Sequence, residues 1–145
     1  MGLFSQDTKV QALARAPLFA GLSKKELAQL ARTTEDLEVA AGKVLCKEGR
    51  LGSEFFVIVE GEADVAKDGI HLATLGPGDF FGEVALIERS RRIATVTAKT
   101  PLRFFVLSSQ GFWGLLDHTP QVERKVLRTL ARRVYETTEA MRAAR

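Results

Sequence analysis

Apolar positions along the chain change their period twice. From Thr8 to about Thr34 they recur at helical spacing. Val10, Leu13 and Ala14 line one face of a short first helix, which Pro17 ends. Ser23 opens a second helix with Glu26 three residues later, a capping box in which hydroxyl and carboxylate satisfy free backbone N–H groups. Leu27, Leu30 and Ala31 supply its apolar stripe, and residues 17–22 between the helices read as a tight apolar turn.

From about Leu37 to Leu107 the pattern becomes short strands separated by glycines. Residues 37–39, 44–47, 55–59, 63–66, 70–75, 94–98 and 102–107 are strand candidates. Breaks fall at Gly42, Gly49, Gly52, Gly61, Asp68-Gly69, Gly76-Pro77-Gly78 and Thr100-Pro101. Asp68-Gly69 lies between two such runs and predicts a hairpin, because both positions tolerate positive φ. Many short strands at this spacing predict a β-sandwich or jelly roll rather than a βαβ fold.

After Ser108 the helical period returns. Phe112, Trp113, Leu115 and Leu116 mark a short helix. His118-Thr119-Pro120 is a break, with Thr119 as N-cap and Pro120 at the first helical position. Val122, Val126, Leu130 and Val134 then repeat every four residues, with Leu127 widening the stripe of a long amphipathic helix from about Pro120 to Met141. The expected organisation is one domain over 1–145, mainly β with flanking helices. It comprises N-terminal helices over 8–34, a β unit over 37–107 and C-terminal helices over 108–145.

Composition narrows the function. A chain of 145 residues, 46% hydrophobic and 27% charged, is ordinary for a globular domain. No apolar run approaches the ~20 residues that span a bilayer. The N-terminus lacks the pattern of a secretory signal, and Gly2, with Ser5 and Gln6 after it, only loosely resembles a myristoylation start. Cys46 is the single cysteine, so it forms no internal disulfide; it reads as a small core residue on a strand, and a cytoplasmic location follows. The net charge of +3 is too small to argue for nucleic-acid binding. Positive charge gathers at Arg89, Arg91 and Arg92, and again from Arg124 to Arg133, where a solvated helix face is the default reading. His71 and His118 are isolated, and no nucleophile–base pair or carboxylate pair suggests an enzyme.

One segment interrupts the strands. Glu83 to Ile87 has the residues of a one-and-a-half-turn helix placed just after a glycine. So short a helix is marginal by propensity, but its free N–H groups suit an anion. Arg92 can hold the same anion with paired hydrogen bonds. Glu83, an acid inside an anion site, makes sense if the ligand also carries a hydroxyl, as a sugar phosphate does.

The run FGEVALIERSRRIATV, residues 81–96, resembles the phosphate-binding cassette of cyclic-nucleotide-binding domains. Such domains occur in protein kinase A regulatory subunits, bacterial catabolite activators and cyclic-nucleotide-gated channels. Gly42, Gly49 and Gly61 also fall where the family's β-roll turns are expected, and the resemblance covers about residues 15–135. It implies a double-stranded β-helix, or jelly-roll β-roll, with N-terminal helices and a C-terminal lid helix. Glu83 would accept from the ribose 2′-OH, with Gly82 letting the backbone approach. The amides of Ala85 and Ile93, with the Arg92 guanidinium, would hold the cyclic phosphate; Phe81, Val84 and Ala94 complete the pocket set. A Thr directly after the phosphate Arg favours cGMP in this family, whereas Ile93 stands there, so the expected ligand is cAMP, with cGMP second. No other cofactor and no metal is implied. Arg133 lies near where channel-type members place an Arg against the purine, with Arg132, Val134 and Tyr135 as alternatives.

The resemblance predicts a regulatory sensor whose terminal helix moves on binding and addresses an effector domain or protein. Two alternatives remain open at this stage. One is the sensor part of a catabolite-activator-like transcription regulator without its DNA-binding unit. The other is a degenerate β-roll used for protein interaction. The amphipathic terminal helix leaves a homodimer open as well.

Overall fold

The run Phe55-Phe56-Val57-Ile58 is continuously apolar, and all four of its residues are buried. A strand that is apolar on both faces needs cover on both faces. The computed structural model, which describes residues 6–144, supplies that cover. The N-terminal stretch carrying Gly2 and Ser5 lies outside the described residues.

Helices α1 (Gln6–Arg15) and α2 (Lys24–Thr33) precede strands β1 (Thr34–Val39), β2 (Val44–Cys46), β3 (Glu54–Glu60), β4 (Ala63–Lys67), β5 (Ile70–Leu75) and β6 (Phe80–Phe81). Helix α3 (Glu83–Glu88) follows, then β7 (Thr95–Ala98), β8 (Leu102–Ser108), α4 (Ser109–His118) and α5 (Pro120–Ala143). The strands form two antiparallel four-stranded sheets of order β1-β8-β3-β6 and β2-β7-β4-β5. This is the mainly β, helix-flanked roll that the sequence predicts.

The first sheet separates two cores. Phe55 and Val57 of β3, with Phe105 and Leu107 of β8, face the helices and pack with Leu13, Phe19, Leu30, Phe112, Val122 and Val126. Phe56 and Ile58, with Phe104 and Val106, point into the roll and meet Cys46, Val96 and Ala98 of the other sheet. Alternation of side chains along each strand therefore feeds both cores from the same strands.

Most local expectations hold. Ser23 and Glu26 form the reciprocal capping box, and residues Pro17–Phe19 form a 3-10 turn. Asp68 and Gly69 turn the β4–β5 hairpin at φ 52° and 78°. Thr119 occupies the N-cap of α5, but its side chain makes no capping bond there.

Four details differ. Ala14 is exposed, and Ala16 takes the buried position instead. Strand β1 starts three residues earlier than expected, at Thr34, and its polar Thr34 and Asp36 point inward while Leu37 is partly exposed. The Thr34 hydroxyl donates to the Leu30 carbonyl, and Lys9 lies 3.8 Å from Asp36, so the inward polar groups are compensated. Phe80 and Phe81 make an eighth strand, too short to show a period. On α5 the buried stripe is Val122 and Val126; Leu127 is 67% and Val134 66% exposed. Leu130 still packs partly against the core, and beyond it the apolar spacing continues where cover does not.

Burial separates two neighbours that periodicity places together. Val126→Ala is expected to cost about 2 kcal/mol, as two buried methyl equivalents. Leu127→Ala should stay within about 0.5 kcal/mol. Urea denaturation of the two variants checks this contrast.

Candidate functional site

Strand β6 pairs with β3 through Phe56↔Phe81 and Val57↔Phe80, and the chain then turns at Gly82 into α3. Gly82 sits at φ 98°, which favours glycine. A Cβ there would also meet the Glu54 carbonyl at 2.6 Å and Arg92 Nη1 at 3.1 Å. Both backbone conformation and close approach therefore require glycine. Helix α3 ends at Arg89, a non-glycine in the left-handed region at φ 55°. Its amide returns to the Ala85 carbonyl, and Ala85 and Leu86 are buried, which anchors a helix of six residues.

Arg92 is 7% exposed. Its main chain is laddered to the β2–β3 loop: its N–H donates to the Arg50 carbonyl (2.8 Å) and its carbonyl accepts from Gly49 (2.9 Å). Its guanidinium donates to the carbonyls of Gly82 and Glu54, both at 2.9 Å. It also lies 5.9 Å from the centroid of the Phe56 ring, which stacks on Phe81 at 4.6 Å. Among the described residues no carboxylate lies within ion-pair distance of Arg92. A buried guanidinium held by neutral oxygens keeps its full charge in a poorly solvated place.

Glu83, 2% exposed, begins α3 beside this cation. Arg133 of α5 reaches it: one guanidinium nitrogen donates to Glu83 Oε1 and the other to the Phe80 carbonyl. The same guanidinium lies 4.9 Å from the Phe80 ring centroid. Burial pushes the Glu83 carboxyl above the usual glutamate range, and Arg133 and Arg92 pull it partly back.

Around the exit of the segment, Lys67 donates to the Ile93 carbonyl at 3.2 Å and Arg91 to the Gly49 carbonyl at 3.1 Å. Glu48 accepts from the Thr95 hydroxyl and the Asp68 amide, and the amide bond holds its carboxyl below the usual range. Val84 and Ala94 are half-buried, and Ile93 is 53% exposed.

The structure thus brings Phe81, Gly82, Glu83, Val84, Ala85, Arg92, Ile93 and Ala94 to one end of the roll. Arg133 joins them from the far end of the sequence, with its guanidinium on Glu83; of its alternatives, Val134 and Tyr135 are exposed. Sequence reasoning missed Gly52, Glu54, Phe56 and Phe80. Two of these act through backbone carbonyls, which carry no sequence signal. His71 contacts Thr74 and Asp64 on the β4–β5 hairpin, and His118 bonds the Gly114 carbonyl. Burial pushes the Cys46 thiol up to about 11, consistent with its place in the core. Among the described residues no group of three or more His, Cys, Asp or Glu side chains is arranged to hold a metal ion.

A family model for the cyclic nucleotide-binding domain matches residues 36–119. A cyclic nucleotide-gated potassium channel of Rhizobium etli is 37% identical over 123 residues, 85% of this chain and 34% of the channel. A cAMP-dependent protein kinase regulatory subunit of Eremothecium gossypii is 42% identical over 113 residues, 77% of this chain and 25% of the subunit. The solved structure of cAMP-bound PfPKA-R superposes with a TM-score of 0.84 at 25% identity, covering 93% of this chain and 47% of that one. The chain therefore spans about a quarter to a third of the length of these curated relatives.

The raised Glu83 carboxyl has a stability consequence with a definite sign. The folded protein holds this proton more tightly than the unfolded chain does, so stability falls as pH rises from the ordinary glutamate range through the raised value. Glu83→Gln should lose that component. Subtracting urea-denaturation stabilities of wild type and variant across this pH window should give a difference that grows toward neutral pH; a flat difference would contradict the assignment.

Proposed function

The chain belongs to the cyclic nucleotide-binding domain family, and from that premise we propose that it is a regulatory module binding cAMP in preference to cGMP. The observation that carries the reading is the buried Arg92, a cation held by the Gly82 and Glu54 carbonyls with no carboxylate at ion-pair distance among the described residues. A cyclic phosphodiester carries one negative charge and supplies what this guanidinium lacks. Of its five N–H donors two are engaged with those carbonyls, which leaves donors for phosphate oxygens. The amides of Ala85 and Ile93 would bind the same phosphate.

Glu83 accepts the ribose 2′-OH in this reading. Its burial suits the role, because a hydroxyl donating to a poorly solvated carboxylate interacts more strongly than one in water. Phe81, Gly82, Val84 and Ala94 shape the rest of the pocket, and Ile93 offers guanine no hydroxyl. Calorimetry with cAMP and cGMP tests this assignment. Arg92→Ala should lose about a hundredfold in cAMP affinity, the equivalent of a charge-assisted bond of roughly 1.5–3 kcal/mol. Ile93→Thr should narrow the cAMP preference by about two- to tenfold, the range of a neutral hydrogen bond. No binding of either nucleotide by the wild type at submillimolar concentration would refute the reading.

Arg133 links the pocket to α5. Its guanidinium pairs with Glu83, so a ribose hydroxyl on that carboxylate competes with or re-aims it. A ligand shifts the helix only through such differential contacts. Lys125 ties the start of α5 to the carbonyls of Pro17 and Ala20, which leaves the later turns, mostly exposed and held to the roll through Arg133, as the part to respond. Spin labels at Glu136 and Lys99, with Cys46 replaced by Ala, should report a changed distance distribution on cAMP addition. Arg133→Ala should diminish that change, and an unchanged wild-type distribution would refute helix movement. The effector addressed by α5 is then a further domain or a separate protein.

A further inference from the structure

Gly52 lies in the loop between β2 and β3, outside the 81–96 segment. Among the described glycines seven have positive φ, and for these the backbone conformation alone accounts for glycine. Gly52 is not one of them. Of the glycines with ordinary φ, Gly76 and Gly114 face open space and the nearest neighbour to a Cβ on Gly111 is at 3.4 Å. A Cβ on Gly52 would lie 2.0 Å from Arg92 Nε, 2.5 Å from its Cζ and 2.6 Å from its Nη2. All three atoms belong to the guanidinium. Gly52 is therefore glycine for space alone, and the space is occupied by one functional group.

We propose that Gly52 is a positioning residue that sets cyclic-nucleotide affinity through Arg92, an inference that rests on the binding reading above. The guanidinium plane lies against the Gly52 backbone, and from there it reaches the Glu54 and Gly82 carbonyls on either side. The conflict created by a side chain at 52 is with the end of a side chain, not with backbone. The loop accordingly keeps its course, since Gly49 and Arg50 remain bonded to the Arg92 main chain, and the guanidinium is what moves. Once displaced it loses both carbonyls and no longer aims its remaining donors at the phosphate position. Gly82 differs, because a Cβ there meets the Glu54 backbone oxygen and sits at φ 98°. Substitution at 82 disturbs the chain itself; substitution at 52 disturbs Arg92.

A double-mutant cycle on cAMP affinity separates this role from a general loss of structure. Calorimetry would compare wild type, Gly52→Ala, Arg92→Ala and the double variant, with circular dichroism and thermal melts confirming folded protein. Gly52→Ala should weaken cAMP binding at least tenfold. In the Arg92→Ala background, where the guanidinium is gone and the methyl fits, it should change affinity less than twofold. The double variant also serves as the folded reference if Gly52→Ala alone is unstable. Wild-type affinity within twofold in Gly52→Ala would overturn the proposal, as would an equal loss in both backgrounds. If the wild type itself binds no cAMP, the binding reading fails first and the positioning role fails with it. A wild type that binds beside an unaffected Gly52→Ala sinks the positioning role alone.

Discussion

The arrangement depends on keeping one guanidinium buried with no ion-pair partner among the described residues. Placing a charge in a poorly solvated interior is costly, and a carboxylate partner would repay it by neutralising it. Arg92 is instead supported by peptide carbonyls, whose partial charges stabilise the cation and leave its net charge available. Around that constraint the neighbouring sequence falls into place. Gly82 and Gly52 are small where the guanidinium and its supports pass, Phe56 presents a ring face, and the Gly49–Arg50 backbone fixes the Arg92 main chain.

A second charge relation builds on the first. Glu83 is buried beside Arg92 yet takes its ion pair from Arg133, on the last long helix. The terminal helix thereby gains a contact at the centre of the site, while Lys125 holds its first turns to the 3-10 turn near the N-terminus. That turn in turn packs on the loop leading into β6, where a Cβ on Gly78 would meet Pro17 at 2.9 Å. Site, N-terminal helices and α5 are joined by contacts between rigid elements. Arg133 puts α5 in direct contact with the Glu83 carboxylate.

The fold was largely legible because its cores are fed by local alternation. The capping box at Ser23 and Glu26, the Asp68-Gly69 hairpin and the apolar run of β3 each carry their own reason in adjacent residues. What periodicity misjudged was cover. Leu127 and Val134 continue a helical stripe, yet among the described residues no element lies over them, and Thr34 and Asp36 point inward because α1 and α2 offer them hydrogen-bonding and charged partners. A period tells which residues share a face; it does not tell what the face meets.

The candidate site divides along the same line. Glu83 and Arg92 are legible at a short helix and its exit loop because they lie in one short segment and the spacing of acid, small residues and arginine is local. What holds them comes from distant parts of the chain. Glu54 lies 38 residues from Arg92, and Arg133 lies 50 from Glu83. Those partners meet through sheet pairing and helix docking, and two of the contacts are made by carbonyl oxygens that every residue possesses. Side-chain identity can announce a charge that needs support. Where the support comes from is settled by the path of the backbone.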